Sequence, residues 1–351
     1  MASILVTGSA GFIGSHFVET ILNHDETLKL VSFDKLTYAG RLENLEPVLG
    51  NPRHKFVQGD IGDASLVEKI FQEHEIDAVI HFAAESHVDN SISGPETFIQ
   101  TNIVGSFRLL EVCRKFWLDS RSQLKERFRH SRFLHVSTDE VYGSLGSQGY
   151  FTEDSKYAPN SPYSASKASS DMIARSYWKT YGLPVVISNC SNNYGPRQHS
   201  EKLIPTVIKK ALAGDAIPIY GTGANVRDWI FVKDHCEALL RVFNQGSLGE
   251  TYAIGGDCEL DNLKLAHLLC QRLDEILPKP TGETYAQQIK FVEDRLGHDH
   301  RYAIDSKKIK HQLGFRPQTD LHEGLTETIK WYIDEFRKGE IISEKSFRVH
   351  S

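Results

Sequence analysis

A tyrosine and a lysine stand four residues apart, at Tyr163 and Lys167, in a segment whose pattern predicts a helix over 162–181. Residues four apart on a helix share one face, so the two side chains meet. A phenol with an ordinary pKa of about 10 is a weak base at neutral pH, and an adjacent ammonium stabilises its phenolate form. The pair therefore predicts proton abstraction from a hydroxyl group. A tyrosine packed on a lysine stem is the structural alternative.

Two neighbouring carboxyl groups, Asp139 and Glu140, follow Thr138 just past the carboxyl end of a predicted strand over 133–137. In open α/β sheets, ligands bind at that end of the strands. Different surroundings can leave one carboxyl protonated as an acid and the other ionised as a base. A simple alcohol dehydrogenase has no use for such a pair, whereas an elimination needs both groups. A solvated loop is the alternative for an acidic pair considered in isolation.

A glycine-rich turn joins the first predicted strand to the first predicted helix, with glycines at Gly8, Gly11 and Gly14. These glycines permit a tight turn in which free N–H groups at the helix start face a pyrophosphate. Asp34 ends the second predicted strand, 20 residues past Gly14. A carboxylate there accepts a hydrogen bond from a ribose 2′-hydroxyl and repels a 2′-phosphate, which favours NAD over NADP. A purely structural turn is the alternative.

The first half of the chain alternates short, β-branched apolar runs with helix-sized segments. Such runs are typical of parallel strands buried on both faces, and the alternation implies right-handed βαβ crossovers. Strands are predicted at 4–6, 30–33, 55–57, 78–82, 133–136 and 185–187, and helices at 11–24, 63–74, 95–117, 162–181, 233–245, 261–276 and 321–337.

This order predicts an α/β fold, a doubly wound parallel sheet of the Rossmann type with a smaller, interwoven C-terminal substrate-binding lobe. An NAD-binding domain is assigned to residues 1–190, with a later contribution around 226–255. The substrate-binding lobe is assigned mainly to residues 191–351.

The composition limits the partners and the compartment. The 351 residues carry 46 acidic and 40 basic side chains, a net charge of −6, which gives no general attraction to nucleic acid or an anionic membrane. Cys113, Cys190, Cys236, Cys258 and Cys270 are too far apart for a zinc knuckle or a disulfide framework. We therefore expect no metal, and a reducing, cytoplasmic location.

The segment Phe98–Trp117 places apolar residues around more of a helix than a singly packed surface helix needs. A second face of this helix must then be covered, either by a neighbouring helix or by another subunit. We therefore expect a homodimer.

Longer motifs extend these features over almost the full length of the chain. They are TGSAGFIG, FDKLTYAGRLENL, HFAAESHVDNSI, STDEVYG, SPYSASKASSD, SNNYGP, EKLIP, NVRDWIFVKDH and GHDHRYAID. On these stretches the chain resembles the extended short-chain dehydrogenase/reductases and, within them, the nucleotide-sugar 4,6-dehydratases. The similar epimerases and decarboxylases lack the acidic pair in the form of Thr138, Asp139 and Glu140.

The resemblance implies a redox cycle without net oxidation, with dTDP-glucose as the substrate. Tyr163, assisted by Lys167 and Thr138, would take the proton from the sugar 4-hydroxyl while hydride passes from C4 to NAD. The new ketone acidifies the C5 proton, which Glu140 would remove while Asp139 protonates the departing 6-hydroxyl. Return of hydride to C6 would give dTDP-4-dehydro-6-deoxyglucose, with NAD tightly bound between turnovers.

The same resemblance implies two sets of contacts. Cofactor contacts would come from Gly8, Gly11, Phe12, Ile13, Gly14, Asp34, Lys35, Leu36, Thr37, Asp60, Ile61, Ala83, Ala84, Ser86, Thr101, Tyr163, Lys167 and Asn193. Substrate contacts would come from Ser86, Thr138, Asn192, Lys202, Leu203, Pro218, Tyr220, Arg227, Asn262, Arg295, His298 and Tyr302. Lys202, Arg227 and Arg295 suit a sugar-nucleotide diphosphate, since arginine binds such oxygens in bidentate fashion. For each arginine, a surface salt bridge is the alternative.

The chain departs from the family pattern at Arg197–Ser200, where aromatic residues and a proline are usual, and at Leu296, where a proline is usual. Both departures are assigned to the nucleotide-binding lobe, so they bear on the preference for base or sugar. A 4,6-dehydratase of a UDP- or CDP-linked sugar, a nucleotide-sugar epimerase and a non-catalytic NAD-sensing module are the alternatives. An epimerase would have no use for Asp139 and Glu140, and a sensing module would have no reason to keep the catalytic set.

Overall fold

The computed structural model describes residues 3–348, with side chains described for 3–339. Its strands are β1 (Ser3–Thr7), β2 (Lys29–Asp34), β3 (His54–Gln58), β4 (Ala78–His81), β5 (Arg132–Thr138), β6 (Val185–Cys190), β7 (Asn192–Tyr194), β8 (Ile217–Tyr220), β9 (Val226–Phe231), β10 (Thr251–Ile254), β11 (Glu259–Asp261) and β12 (Ile289–Val292).

Its helices are α1 (Phe12–His24), α2 (Glu46–Leu49), α3 (Ala64–His74), α4 (Val88–Ser93), α5 (Pro95–Phe98), α6 (Ser106–Trp117), α7 (Pro162–Tyr181), α8 (Leu203–Ala213), α9 (Val232–Gln245), α10 (Asn262–Ile276), α11 (Lys307–Leu313) and α12 (Leu321–Arg348). A π-helical segment, Ile99–Gly105, joins α5 to α6, and a short 3₁₀ turn, Asp139–Tyr142, follows β5. No helix within residues 3–348 is both long and apolar enough to cross a membrane.

The central sheet has seven parallel strands in the order β10-β6-β5-β4-β1-β2-β3. Successive side chains of a strand point to opposite faces, so each strand contributes to two cores. Leu5 and Phe133 join one core with α3, α6 and α7, whereas Ile4 and Leu134 join the other with α1, α8 and α9. The predicted doubly wound parallel sheet is therefore confirmed.

The start of α7 is fixed by its capping residues. Ser161 accepts a hydrogen bond from the Ser164 amide at 3.1 Å, and Pro162 occupies the first helical position, where it loses no bond. Gly182 ends the helix in the left-handed conformation, with φ of +69°. These caps place Tyr163 in the first turn of α7, beside the carboxyl end of β5.

The second half of the chain contributes to the large sheet and also forms small sheets of its own. Strand β10 extends the large sheet beside β6, and α9 packs on α1. Strands β11, β9 and β7 form a three-stranded sheet, and β8 pairs with β12 in a parallel two-stranded sheet. Helices α8 and α10 pack together beside these strands.

The structure adds elements that the periodicity did not predict. The segment predicted as one helix over 95–117 is helical throughout, but its middle turn is π-helical. Helices α8 and α11 and the short strands after residue 190 were not predicted. These strands have only three to six residues, too few to show a clear alternation.

Candidate active site

A deep cleft opens where the strands of the large sheet end, and its empty volume is about 1610 Å³. Its walls include Gly8 after β1, Asp34 at the end of β2, Phe82 after β4, Thr138 at the end of β5 and Cys190 at the end of β6. This is the edge at which open α/β sheets bind ligands.

The cleft collects most of the residues proposed for catalysis and for the cofactor. Those that line it are Gly8, Gly11, Phe12, Ile13, Gly14, Asp34, Lys35, Thr37, Asp60, Ile61, Ala83, Ala84, Ser86, Thr101, Thr138, Asp139, Glu140, Tyr163, Lys167 and Asn193. Leu36 lies outside the walls, and its amide donates to Asp34 at 2.8 Å. Residues far apart in sequence are thus brought to one surface.

The glycine turn is packed too closely for side chains. Gly8 has φ of +65°, and a Cβ there would lie 2.6 Å from the Ala83 nitrogen. A Cβ on Gly14 would lie 2.2 Å from the Gly8 carbonyl oxygen. Because such distances are not tolerated, both glycines are required if the start of α1 is to approach the end of β4. The first turn of α1 then lies in the cleft wall, where its N–H groups suit a diphosphate.

Asp34 is buried and holds the loop that follows β2. Its Oδ2 accepts from the Ala10 amide at 2.9 Å, and its Oδ1 accepts from the Leu36 amide at 2.8 Å. Burial raises the pKa of Asp34, and these amide bonds oppose the rise. Each carboxylate oxygen can accept two hydrogen bonds, so a ribose hydroxyl can still bind here. The Lys35 ammonium pairs with Asp60 at 2.8 Å rather than with Asp34.

Tyr163 and Lys167 both line the cleft, in the first two turns of α7. The Lys167 ammonium donates to the Val136 carbonyl at 2.9 Å. Burial lowers the pKa of Lys167. Burial, followed by the Glu140 charge, raises the pKa of Tyr163 well above its ordinary value, and Thr138 acts in the opposite direction. The phenol therefore depends on positive charge and hydroxyl contacts at this site to act as a base.

The acidic pair sits beside the tyrosine, in two different environments. Asp139 is 1% exposed; its Oδ1 accepts from Thr138 Oγ1 at 3.3 Å, and its buried Oδ2 has no hydrogen-bond partner within the described residues. Burial, then the charges of Glu140 and Asp228, raise the pKa of Asp139 well above its ordinary value. Glu140 Oε2 accepts from Ser164 Oγ at 3.2 Å. Asp139 is therefore suited to remain protonated and to donate its proton.

The π-helical segment Ile99–Gly105 connects two walls of the cleft. Thr101 lines the cleft, and the buried Asn102 holds the loop after β4. Asn102 Oδ1 accepts from the Glu85 amide at 2.8 Å, and its Nδ2 donates to the Glu85 carbonyl at 3.0 Å and to Ser166 Oγ at 2.8 Å. Insertions of this kind often mark functional sites, and here one orients both Thr101 and Asn102.

The proposed substrate residues fall into two groups. Ser86, Thr138, Asn192 and Lys202 line the cleft, and the Lys202 ammonium donates to the Ser86 carbonyl at 2.8 Å. The others lie beyond its walls, on α8, β8, β9, α10 and the segment 295–302, and are Leu203, Pro218, Tyr220, Arg227, Asn262, Arg295, His298 and Tyr302.

Several contacts organise this second group. The Arg227 guanidinium lies 4.3 Å from the centre of the Tyr302 ring, and the rings of Tyr220 and His298 meet edge to face at 6.4 Å. Burial lowers the pKa of Arg227, and the charge of Glu140 is among those that oppose the shift. Arg227 therefore lies within electrostatic reach of the acidic pair.

The cleft also contains residues that the sequence did not assign to the site, among them Glu85, Cys190 and Glu201. Gln198 and His199, which the sequence marked only as departures from the family pattern, line it as well. Cys190 ends β6, so the rule that ligands bind at strand ends could have found it. Glu201 follows β7 in an irregular segment, for which the sequence offers no comparable signal.

A family model described as GDP-mannose 4,6 dehydratase matches residues 5–328 of this chain. The chain belongs to this family. The dTDP-glucose 4,6-dehydratase of Xanthomonas campestris pv. campestris is 53% identical over 333 residues, which cover 95% of this chain and 93% of the relative. The resemblance to the 4,6-dehydratases that the motifs predict is therefore confirmed.

Solved structures agree with this membership of the 4,6-dehydratases. The crystal structure of dTDP-glucose 4,6-dehydratase from Streptomyces venezuelae, with NAD bound, matches with a TM-score of 0.85 and 45% identity, covering 95% of this chain and 97% of that one. The UDP-glucose 4-epimerase of Thermotoga maritima matches with a TM-score of 0.82 but 30% identity, covering 95% and 99% of the two chains. The sequence is thus closer to the dehydratase than to this epimerase.

The departures from the 4,6-dehydratase pattern differ in their surroundings. Arg197 pairs with Glu19 of α1 at 2.6 Å, and Gln198 and His199 line the cleft together with the cofactor residues. Arg197 is thus joined to α1, whereas the cleft that Gln198 and His199 border also contains Lys202. The bearing of Arg197–Ser200 on the preference for base or sugar stays a prediction. Leu296 is 78% exposed.

Proposed function

We propose that the protein is a dTDP-glucose 4,6-dehydratase that uses NAD and forms dTDP-4-dehydro-6-deoxyglucose. The observation that carries this proposal is the position of Asp139 and Glu140 beside Tyr163 and Lys167 in one cleft. A hydroxyl-oxidising pair alone would serve an epimerase, whereas an acid and a base next to it serve the loss of water. The names of the relatives supply the base and the sugar of the substrate.

The residues of the cleft fit NAD. The glycine turn leaves the backbone open to a diphosphate, and Asp34 lies where a ribose 2′-hydroxyl can donate to it. Asn193 Oδ1 is buried without a hydrogen-bond partner within the described part of the chain, so it can accept from a ligand. NAD held by these residues would supply a reversible hydride acceptor, which an oxidation at C4 followed by a reduction at C6 requires.

Tyr163 is the group that takes the proton from the sugar 4-hydroxyl. Lys167 stabilises the phenolate that does so, and the Thr138 hydroxyl contributes in the same direction. The Val136 carbonyl holds the Lys167 ammonium in place at 2.9 Å. Because Tyr163 is buried, its proton passes between fixed groups, sheltered from bulk water.

The acidic pair acts once the ketone has formed at C4. The ketone acidifies the C5 proton, which Glu140 removes. Asp139, kept protonated by burial and by the Glu140 charge, donates to the departing 6-hydroxyl, and water leaves. When hydride is returned to C6, C5 regains a proton from Glu140. The proton that Tyr163 took from the 4-hydroxyl equals the one that Asp139 gave to the leaving water, so its return to Asp139 restores the starting protonation of all three groups.

The decisive test is to incubate the purified protein with dTDP-glucose in deuterated water and to analyse the product by mass spectrometry and NMR. We expect a product lighter by one water, with solvent deuterium at C5 and none at C6. UDP-glucose and CDP-glucose, run in parallel, report the base preference. An epimerised product of unchanged mass would contradict the proposal.

We also propose that the protein is a homodimer joined through α6, α7 and the π-helical segment between α5 and α6. Ile99, Phe107 and Met172 are 48%, 43% and 56% exposed there, although α6 and α7 already pack on each other and on the sheet. Ile99 and Phe107 are among the apolar side chains of Phe98–Trp117 on which the sequence bases this expectation, and Met172 of α7 adds an exposed apolar side chain. Analytical ultracentrifugation at micromolar concentration tests the proposal, and a monomer mass would contradict it.

A cytoplasmic location completes the proposal. All five cysteines are free thiols, and Cys113, Cys190, Cys236 and Cys270 are buried. Free thiols persist in a reducing compartment. Fractionation of the native cells, followed by the dehydratase assay, measures the location.

A further inference from the structure

Asp171 is a buried carboxylate that the proposed reaction does not use. It lies on α7, one helical turn past Lys167, and is 1% exposed. Its Oδ1 lies 3.0 Å from His135 Nε2, and its Oδ2 accepts from the Tyr157 hydroxyl and from Asn189 Nδ2, each at 3.0 Å. A carboxylate held by several donors in the interior keeps a fixed position.

One of these donors links Asp171 to the catalytic loop. Asn189 Nδ2 donates to the Thr138 carbonyl at 3.1 Å as well as to Asp171. Asn189 Oδ1 accepts from the Tyr142 hydroxyl at 3.2 Å. Thr138 and Tyr142 stand at the two ends of the segment that carries the acidic pair. Asp171 thus anchors that segment through a single asparagine.

Asp171 also lies within electrostatic reach of Lys167. Lys167 is 5% exposed, and burying a cation is costly unless an opposite charge lies nearby. Burial lowers the pKa of Lys167, and the Asp171 charge is the largest influence in the other direction.

The other titratable groups around Lys167 leave Asp171 as its counter-charge. Burial lowers the pKa of His81 and of His135, so both rings are neutral at neutral pH. Burial raises the pKa of Cys190 to about 12, so its thiol is neutral too, and Tyr163 is the partner whose proton must leave. A fixed negative charge one turn behind the lysine therefore favours its cationic form.

We propose that Asp171 is a positioning residue for the proton-abstracting pair Tyr163 and Lys167. Asp171 keeps Lys167 cationic, and through Asn189 it fixes the segment that begins at Thr138. It acts behind the pair and touches no substrate atom. The inference rests on the proposed function, because it assigns Asp171 a task within that reaction.

The test compares Asp171→Asn, which removes the charge and keeps the shape, with Asp171→Glu, which keeps the charge. The measurement is the pH dependence of the first-turnover rate of NADH formation after dTDP-glucose is added to the holoenzyme. For Asp171→Asn we expect a roughly tenfold lower rate at neutral pH, and the ascending limb of the pH–rate profile should move to higher pH by about one unit. The limb moves to higher pH because a lysine that loses its proton more easily no longer supports the phenolate. Asp171→Glu should restore much of the rate, and KM for dTDP-glucose should stay unchanged in both.

Asp234→Asn is the matched control, since Asp234 is a buried aspartate on α9 that accepts from the Thr319 amide at 2.9 Å. It should lose stability without any shift in the pH profile. Asn189→Ser breaks the link to Thr138 and leaves the Asp171 charge. The rate of this variant should therefore fall, whereas the ascending limb of its pH–rate profile should lie at the same pH as in the wild type.

The outcomes separate this inference from the proposed function. A wild-type protein that does not dehydrate dTDP-glucose contradicts the function. If the wild-type protein is active and Asp171→Asn has the same ascending limb in its pH–rate profile as the wild type, the role of the Asp171 charge is overturned. If Asp171→Asn does not fold, an Asn189→Ser enzyme as fast as wild type overturns the inference.

Discussion

Arg197 Nη2 lies 2.6 Å from Glu19 Oε1, and this ion pair joins the segment after β7 to helix α1. The segment is also held by His16, whose Nε2 lies 3.0 Å from the Pro196 carbonyl oxygen, and by Tyr332, whose hydroxyl donates to the Gln198 carbonyl. Arg197 itself has φ of +68°, a left-handed conformation that costs a non-glycine residue about 1 kcal/mol. The surrounding contacts maintain it.

The anchored segment borders the cofactor half of the cleft. Gln198 and His199 line the cleft, as does Thr37 of the loop after β2. The His199 ring meets the Tyr38 ring of that same loop edge to face at 5.5 Å. Opening this border would require the Arg197–Glu19 pair to break, so the pair should slow the departure of NAD.

We expect Arg197→Ala and Glu19→Gln each to release NAD about fivefold faster than the wild-type protein, since a partly exposed ion pair contributes about 1 kcal/mol. The release is measured by diluting the holoenzyme and following free NAD with an enzymatic cycling assay. Arg129→Ala, which removes the exposed pair of Arg129 with Glu126, is the control and should not change the rate. Equal release from all four proteins would show that the segment does not retain the cofactor.

The sequence predicts the architecture well because its strongest signals are local. The runs around Ile4–Val6, Phe133–Val136 and Val185–Ile187 are buried on both faces and so are apolar, with His135 as the one polar side chain among them. The small strands lack such a signal, because β7 and β11 have three residues each and are defined by pairing with a distant strand. Their positions depend on tertiary contacts that no short window of sequence contains.

The same distinction applies to the site. Tyr163, Lys167 and the acidic pair could be identified because their spacing and their place after a strand carry chemical meaning. Asp171 and Asn189 could not, since a polar residue in a helix or strand is normally exposed and only the fold shows that these two are buried together. The roles of all the site residues remain predictions that the experiments proposed here address.

Removing the acid or the base should stop the reaction after C4 oxidation. We expect Asp139→Asn and Glu140→Gln to lower the overall rate by about 10² to 10⁴, the range of general acid–base catalysis. Tyr163 and Lys167 are intact in both variants, so enzyme-bound NADH should accumulate and be visible in rapid-scanning absorbance. A matched Glu126→Gln variant on the exposed 3₁₀ turn should behave as wild type. Full dehydration by either active-site variant would contradict the roles assigned to the pair.

His235 should make the protein sensitive to acid. Both of its ring nitrogens are buried without a hydrogen-bond partner within the described residues, and burial lowers its pKa to about 3. The unfolded chain, with a histidine pKa of about 6.5, binds this proton more readily, so stability falls by about 1.4 kcal/mol for each pH unit below about 6.5.

Urea denaturation at a series of pH values measures this effect. We expect His235→Leu to flatten the loss of unfolding free energy between pH 6.5 and lower values, whereas His322→Leu, which changes an exposed histidine, should keep the wild-type slope. The same slope in His235→Leu as in the wild-type protein would show that other groups govern the acid transition.

The raised pKa of Asp139 should cost the folded protein stability at neutral pH, so replacement of this carboxyl group should raise stability while it impairs catalysis. The folded pKa of Asp139 is raised well above its ordinary value by burial and by Glu140, so the folded state holds the proton more tightly than the unfolded state. Stability from this group is complete below the unfolded pKa of about 3.9 and is lost as pH rises towards the folded pKa.

Asp139→Asn removes this pH dependence, because an amide is neutral throughout. We therefore expect the variant to unfold at a higher temperature than the wild-type protein at pH 7, with the difference shrinking as the pH is lowered towards 4. Differential scanning calorimetry at matched NAD saturation measures the difference, and Asp234→Asn serves as the buried control that should be less stable than wild type. An Asp139→Asn protein that is less stable at pH 7 would mean that the carboxylate is compensated in the folded state, and it would weaken the assignment of Asp139 as the acid.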